Sequence, residues 1–125
     1  MNMPARSDIT SCEEASEVLS HIGDKWTVLV VVALKEKPRR FNEIKRYLRG
    51  ISHQMLTRTL KNLLRDGMVD RKVFDTVPPQ VEYRLSELGQ SLSQVLKGLA
   101  DWAQNNSKTI LLSRSTYDAK MGNDS

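Results

Sequence analysis

A run of polar and basic side chains between residues 52 and 61 has the chemistry needed to contact the edges of nucleic-acid bases. Gln pairs with adenine and Arg with guanine through two hydrogen bonds each, so Gln54 and Arg58 are the best base-reading residues. The full predicted base-reading set is Ser52, His53, Gln54, Thr57, Arg58 and Lys61. For Arg58 and Lys61, contact with phosphates alone or a solvated helix face stays open as an alternative.

The basic charge of the chain is concentrated around this run. The 125 residues carry a formal net charge of only +4, but residues 25–72 hold thirteen Lys and Arg against four acidic residues. Residues 1–24 carry a net charge of −4 and residues 73–125 a net charge of −1. A basic block of this kind is typical of a protein that binds a polyanion, and a solvated surface is the alternative. The residues predicted to contact phosphates are Lys25, Arg39, Arg40, Lys45, Arg46, Arg49, Arg71 and Lys72. A structural ion pair is an equal alternative for Arg40.

Two short helices joined by a tight turn must position these side chains. The apolar residues from Phe41 to Leu48 repeat at helical spacing, and Gly50 can end that helix. Ser52 is a good N-cap for the second helix, and Gly67 ends it. The apolar stripe of the second helix is Leu56, Leu60, Leu63 and Leu64. Two short helices with a turn that contains glycine predict a helix-turn-helix.

A β-hairpin is predicted directly after the helix-turn-helix. Residues 69–74 form one strand, and residues 81–85 alternate between apolar and polar side chains as a second strand. Pro78 and Pro79 belong in the connection, because proline has no N–H to donate to a sheet. The predicted fold class is therefore mainly α with a small β-hairpin wing, the winged helix-turn-helix.

Further helices flank this unit on both sides. Residues 12–22 form a first helix with Ser11 as its N-cap, and residues 26–34 form a buried helix, although a buried strand also fits their β-branched run. A long helix begins after Ser86 and has more apolar surface than so small a domain can cover. A partner subunit is the natural cover for the surplus, while the chain's own core covers part of it.

Composition excludes several other classes of protein. The longest apolar run, residues 28–34, is too short to span a bilayer, and the N-terminus has no secretory signal, so we expect a cytoplasmic protein without membrane contact. One cysteine and two histidines without ligand spacing predict no metal and no cofactor. The chain has no Gly-rich phosphate loop or nucleophile–base pair, so no enzyme is expected. The predicted domains are a flexible arm at 1–10, a DNA-binding domain with its final helix at 11–106, and a tail at 107–125 with at most a short extra helix.

Six motifs, in order along the chain, resemble one known family. They are IGDKWT at 22–27, RFNEI at 40–44, GISHQMLT at 50–57, LLRDGMVDR at 63–71, VPPQVEY at 77–83 and LSELG at 85–89. Together they resemble the HxlR-type helix-turn-helix transcriptional regulators, which are related to the MarR group. The resemblance implies a bacterial DNA-binding regulator, predicted here to be a repressor, that works as a homodimer.

The resemblance also implies where the subunits meet. Dimers of this family are built largely from the first and last helices, and the predicted interface residues are Val18, Leu92, Val95, Leu96, Leu99 and Trp102. A dimer places two recognition helices about 34 Å apart, which predicts an inverted-repeat operator in double-stranded DNA. In the wing, Gln80 stands where the family usually has a basic residue, so a weaker contact with phosphate is expected there.

Cys12 is the residue that could carry a signal. It is predicted in the first turn of the first helix, where the helix dipole favours a thiolate and Glu13, Glu14 and Glu17 oppose it. Several family members sense oxidants or electrophiles through a cysteine near this position, so the resemblance implies a redox switch at Cys12. An inert cysteine with a small-molecule effector is one alternative. A winged helix used only for protein–protein contact is another.

Overall fold

The computed structural model describes residues 6–123, and the side chains of residues 12–122. Its elements, in chain order, are α1 (Arg6–Ile22), α2 (Lys25–Glu36), β1 (Arg39–Arg40), α3 (Phe41–Tyr47), α4 (His53–Arg65), β2 (Val69–Phe74), β3 (Gln80–Leu85) and α5 (Glu87–Asn123). The chain divides into one compact unit of residues 1–93 and a second unit, residues 94–125, that holds most of α5.

Helix α2 lies at the centre of the first unit. Val30, Val31 and Ala33 have no exposed surface, and they pack in a core that also buries Ile44 and Leu56. Helix α2 begins where the carboxylate of Asp24 accepts hydrogen bonds from the N–H groups of residues 26 and 27. The buried helix predicted for residues 26–34 is confirmed, because a cap of this kind starts a helix and not a strand.

The three strands form one antiparallel sheet in the order β1-β3-β2. The hairpin runs from the pair Val69–Leu85 to the pair Phe74–Gln80, so both predicted wing strands are confirmed. Strand β1 was not predicted, because two residues are too short to show an alternating pattern. It pairs Arg39 with Tyr83 and thereby ties the start of the helix-turn-helix to the wing.

Glycine is required at two positions, one directly after α4 and one in the first turn of α5. Gly67 has φ +75° and ends α4, while the N–H of Met68 donates to the carbonyl of Leu63 at 3.0 Å. A Cβ on Gly89 would lie 2.1 Å from the carbonyl oxygen of Met68. Ser86 joins the two segments, because its hydroxyl donates to the carbonyl of Gly67 and accepts from the N–H of Gly89. These contacts confirm Gly67 as the end of the recognition helix and Ser86 as the cap of α5.

Both outer helices are longer than predicted. Helix α1 begins at Arg6, so Ser11 lies inside the helix and is not its N-cap. Residues 6–10 contain no glycine or proline that would stop a helix, and a capping motif is effective only where the preceding chain leaves the helix. The first five residues of the predicted arm lie outside the described residues.

The predicted tail is also helical. Helix α5 continues through residues 107–123 without a break. The two asparagines at 105 and 106 cost only tenths of a kcal/mol each in a helix, and the amide of Asn106 donates to the carbonyl of Trp102 at 2.8 Å. Residues 124 and 125 lie outside the described part of the chain. No helix between residues 6 and 123 is long and apolar enough to cross a membrane.

Candidate nucleic-acid interface

Helix α4 has one covered face and one open face. Leu56, Leu60 and Leu63 are buried in the core of the first unit. The opposite side is exposed and carries all the side chains predicted to read bases from within the helix, which are His53, Gln54, Thr57, Arg58 and Lys61. Ser52 lies just before them as the confirmed N-cap, and its hydroxyl accepts the N–H of Met55 at 3.0 Å. The hydroxyl of Ser52 is therefore already used in positioning the helix.

The open face of α4 has two flanks. His53, Thr57 and Lys61 border a hollow towards the wing. Arg58 borders a different hollow, together with Asn62 of α4 and residues from the end of α1 and the start of α2. Successive helical residues are turned by about 100°, which places Gln54 between the two flanks. His53, Thr57 and Lys61 therefore border one hollow and Arg58 another, although all four lie on the exposed side of α4.

We call the hollow between α4 and the sheet the wing hollow. It has a volume of about 480 Å³ and is lined by Phe41, His53, Thr57, Leu60, Lys61, Leu64, Arg71, Val81 and Tyr83. The imidazole of His53 packs on Phe41 with 4.7 Å between ring centroids. The hydroxyl of Thr57 donates to the carbonyl of His53 at 2.8 Å, so only its lone pairs are free for a base or a ligand.

Basic residues of α3 and its turn are exposed beside α4. Lys45, Arg46 and Arg49 line a shallow polar hollow at the turn, where Gly50 has φ +92°. Asn42 lines this hollow and also the neighbouring one that holds Arg40 and Arg46. Sequence reasoning missed Asn42, although its place inside the RFNEI motif among basic residues could have indicated it.

The structure contradicts the predicted role of Arg39 as a phosphate contact. Its side chain is buried, its Nε donates to the carbonyl of Ala33 at 2.8 Å, and its terminal nitrogen lies 3.2 Å from a carboxylate oxygen of Glu36. The guanidinium also lies 4.4 Å from the ring centroid of Tyr47. Strand β1 turns Arg39 inward and Arg40 outward, because successive strand residues point to opposite faces.

Arg40 is exposed and connects α3 to the wing. Its guanidinium donates to the amide oxygen of Gln80 on β3, and its N–H donates to the carboxylate of Glu43 at 3.0 Å. The predicted alternative was an ion pair, but within the described residues the side chain meets an amide and not an acid. Gln80 is half-buried and holds the Arg40 guanidinium, which is a contact that a basic residue at that position could not make.

The wing places its two basic residues on opposite faces. Arg71 lines the wing hollow, whereas Lys72 stands opposite Glu82 and lies 5.0 Å from the ring centroid of Phe74. Lys25 is exposed at the start of α2, and its ammonium lies 4.7 Å from the ring centroid of Trp26. The predicted phosphate contacts other than Arg39 thus remain accessible.

Cys12 is exposed on α1, but not in the first helical turn. Because α1 begins at Arg6, Cys12 is its seventh residue, and its N–H is beyond the free N–H groups of the helix start. The prediction that the helix dipole acts on this thiol is therefore wrong. His21, at the other end of α1, lies on the surface with its Nδ1 3.7 Å from the carboxylate of Asp66.

The apolar stripe of α5 is largely uncovered. Val95, Leu99 and Trp102 are each more than half exposed, as is Val18 on α1, and Leu92 is half-buried. Leu96 differs from these residues because it is only 5% exposed, and its place at a dimer interface stays a prediction. Leu96 precedes Leu99 by three residues, so the two side chains are about 60° apart around the helix axis.

Comparisons with known proteins agree with this geometry. The model of the HxlR-like helix-turn-helix family matches residues 21–110. The HTH-type transcriptional regulator YtfH of Escherichia coli K12 is 41% identical over 98 residues, which cover 78% of each chain. The structure of the transcriptional regulator ytfH from Salmonella typhimurium has a TM-score of 0.75 at 39% identity, covering 81% of this chain and 90% of that one.

A third comparison concerns a redox protein. The redox regulator HypR in its oxidised form has a TM-score of 0.70 at 35% identity, covering 74% of this chain and 96% of that chain. The fold, the exposed face of α4 and these matches define a winged-helix transcriptional regulator with a helix-turn-helix DNA-binding domain. The chain belongs to the HxlR-like helix-turn-helix family.

Proposed function

We propose that this regulator is a homodimeric repressor that binds an inverted-repeat operator through α4 and is switched by oxidation of Cys12. The observation that carries the DNA-binding part is the division of α4 into a covered leucine face and an open polar face. The open face offers an amide, an imidazole, a hydroxyl and two cations, without an acidic residue among its predicted base contacts. Such a surface is suited to the major groove of DNA.

Base reading is assigned first to Gln54, because it lies between the two flanks of α4 and its amide makes two hydrogen bonds to adenine. Lys61 and Arg58 extend to either side of it and reach bases or phosphates. The exposed cations of α3 and the wing bind the phosphates of the DNA backbone. Asn42 lines two neighbouring polar hollows among these cations and adds a neutral hydrogen-bond donor. Counterion release at these phosphate contacts makes binding weaken steeply with salt.

The dimer is assigned to α1 and α5. Val95 is 68% exposed, Leu99 56% and Trp102 57%, and these side chains repeat at helical spacing along the same stripe. Burying a large apolar side chain that is exposed to water stabilises a protein or a complex by about 1.5–3 kcal/mol. A second copy of the chain would cover this stripe, and its two-fold symmetry would match an inverted repeat.

The switch is assigned to Cys12 because its thiol is exposed and a structurally similar protein is named a redox regulator. An exposed thiol on a helix proposed to lie at the dimer interface can form a disulfide with a second subunit or a mixed adduct. Either product would change how α1 meets its partner. An inert Cys12 with a small-molecule effector is the competing assignment, and the wing hollow gives that assignment a site.

The test is selection of bound DNA from a random duplex pool under reducing and oxidising conditions. We expect an inverted repeat under reducing conditions and loss of the retained DNA under oxidising ones. The Cys12→Ser variant should select the same operator and keep it in oxidant. A response to oxidant that survives in Cys12→Ser removes the switch. No measurable DNA binding at low salt removes the DNA-binding proposal and favours a module for protein–protein contact.

A further inference from the structure

We propose that Gln80 is a positioning residue for DNA binding, because its amide holds the guanidinium of Arg40 in place for a backbone phosphate without neutralising it. The proposal rests on the proposed DNA binding and adds to it a residue that has no charge of its own. In the contact, the guanidinium of Arg40 donates to the amide oxygen of Gln80 on β3. Arg40 is exposed and Gln80 is half-buried, so the wing supplies the holder and Arg40 the open group.

The Arg40–Gln80 contact lies on a face of the sheet that carries several charges. Side chains alternate along a strand, so Gln80, Glu82 and Arg84 share one face of β3. Arg40 stands directly opposite Glu82 from β1, and Lys72 stands opposite it from β2. Residues directly opposite each other in an antiparallel pair project to the same face. The carboxylate of Glu82 therefore has three cations around it.

Glu82 pairs with only one of these three cations. Its carboxylate oxygen lies 3.0 Å from the guanidinium of Arg84, and the described residues show no ion pair between Glu82 and either Arg40 or Lys72. The carboxylate of Glu43 is engaged in another way, since it accepts the backbone N–H of Arg40 at 3.0 Å. Among the described residues, the guanidinium of Arg40 thus has an amide as its partner and keeps its full charge.

A neutral holder is what keeps this charge available to a phosphate. A carboxylate in place of the Gln80 amide would hold the guanidinium as well, but it would cancel the charge that attracts the phosphate. The amide oxygen takes one of the five N–H donors of the guanidinium and leaves others for DNA. A side chain that is already held also loses less conformational freedom on binding. Gln80 therefore orders Arg40 before DNA arrives.

The held guanidinium borders a polar hollow, which we call the α3 hollow. It has a volume of about 600 Å³ and is lined by Pro38, Arg40, Asn42, Glu43, Arg46 and Glu82. Like Arg40, Arg46 is exposed and has no acidic partner among the described residues. With Arg84 beside Glu82, three arginines face two glutamates, so the surroundings of the hollow are positive. Two guanidinium groups and the amide of Asn42 supply the donors that one phosphate needs.

The first test measures how the affinity for the selected duplex depends on salt in three variants. Arg40→Gln removes the charge and should lower the slope of log K against log salt by about 1. Gln80→Ala keeps the charge but releases the side chain, so affinity should fall by about three- to tenfold with the slope unchanged. Gln80→Glu places a carboxylate on the guanidinium and should lower the slope as Arg40→Gln does.

A double-mutant cycle separates positioning from a direct contact between Gln80 and DNA. Arg40→Gln/Gln80→Ala should bind no more weakly than Arg40→Gln, because Gln80 then has nothing to position. The matched controls Gln90→Ala and Gln90→Glu change an exposed amide on α5, outside the α3 hollow, and should leave the slope unchanged. Thermal unfolding confirms that each variant is folded. Losses that add in the double variant overturn the positioning role.

The part played by Arg84 is tested by releasing Glu82. In Arg84→Gln the carboxylate of Glu82 is free to pair with Arg40 or Lys72 opposite it, so the slope should fall by about 1. Adding Glu82→Gln removes that carboxylate and should restore the slope of the wild-type chain. If the double variant keeps the lower slope, Arg84 is itself a phosphate contact, and its assigned role in shielding Arg40 is overturned.

The outcomes also distinguish this proposal from the proposed function. Unchanged affinity in Gln80→Ala, or an unchanged slope in Gln80→Glu, overturns the role of Gln80, while wild-type binding of the duplex leaves the proposed function in place. Failure of the wild-type chain to bind any duplex at low salt overturns the proposed function, and this proposal with it.

Discussion

Helices α4 and α5 each carry a stripe of apolar side chains, but the stripe is buried in α4 and largely exposed in α5. In α4, Leu56 and Leu60 are buried, and the polar face is open for a partner. In α5, the apolar residues Val95 and Leu99 are themselves exposed. A helical stripe therefore shows which side of a helix is apolar, but it does not show what covers that side. The covered stripe of α4 belongs to the core, and the open stripe of α5 is the surface that we propose for the dimer.

The largest expected effect comes from breaking the open stripe. In the double variant Val95→Glu/Leu99→Glu, two side chains that the dimer would bury become charged. We expect the subunits to dissociate with a loss of about 3 kcal/mol or more, which is at least about 100-fold in the dimer Kd. Sedimentation equilibrium measures this directly, and operator affinity should fall with it.

The control for this variant lies on the same helix. Leu111→Glu/Leu112→Glu adds the same charge at two exposed residues that are turned about 120° and 140° away from Leu99. We expect that double variant to keep the dimer. If neither double variant changes the molecular mass measured by sedimentation equilibrium, the exposed stripe of α5 is not the dimer interface.

The covered stripe should respond in stability instead of assembly. Leu56→Ala removes a side chain with no exposed surface and leaves a cavity in the core beside α2. We expect a loss of about 2–5 kcal/mol in the free energy of unfolding, measured by urea denaturation at fixed protein concentration. Leu112→Ala, on the exposed part of α5, should change that value by no more than about 0.5 kcal/mol. A comparable loss in both variants would contradict the distinction between the two helices.

A smaller effect separates two arginines that the sequence assigns to one role. Arg39→Gln removes the donor to the Ala33 carbonyl and the packing on Tyr47, so we expect about 1–3 kcal/mol lower stability with the salt dependence of DNA binding unchanged. Arg46→Gln should keep stability and lower the slope of log K against log salt by about 1. The two measurements are urea denaturation and a salt titration of operator binding. An unchanged slope in Arg46→Gln would remove that residue from the phosphate contacts.

Local signals in the sequence were sufficient to predict most of the helix ends and strands of the first unit. Ser52, Gly67 and Ser86 mark helix ends through short-range hydrogen bonds, and the structure places each of them as expected. The outer boundaries could not be obtained in this way. A motif at Ser11 resembles a helix start, but a helix that continues through it makes the same residues interior. Likewise, Asn106 weakens a helix locally without ending it.

The sequence by itself determined the helix-turn-helix, the wing and the polar face of α4, because these depend on side-chain periodicity and on caps within a few residues. Only the tertiary structure decided which charged side chains are exposed and can contact DNA. It buried Arg39 and left Arg40 outside, although the two are adjacent, because the two-residue strand β1 pairs with β3 and turns alternate side chains to opposite faces. It also assembled the wing hollow from α3, α4 and the sheet, since residues 41 and 83 are far apart in the sequence and line one hollow only when the chain is folded.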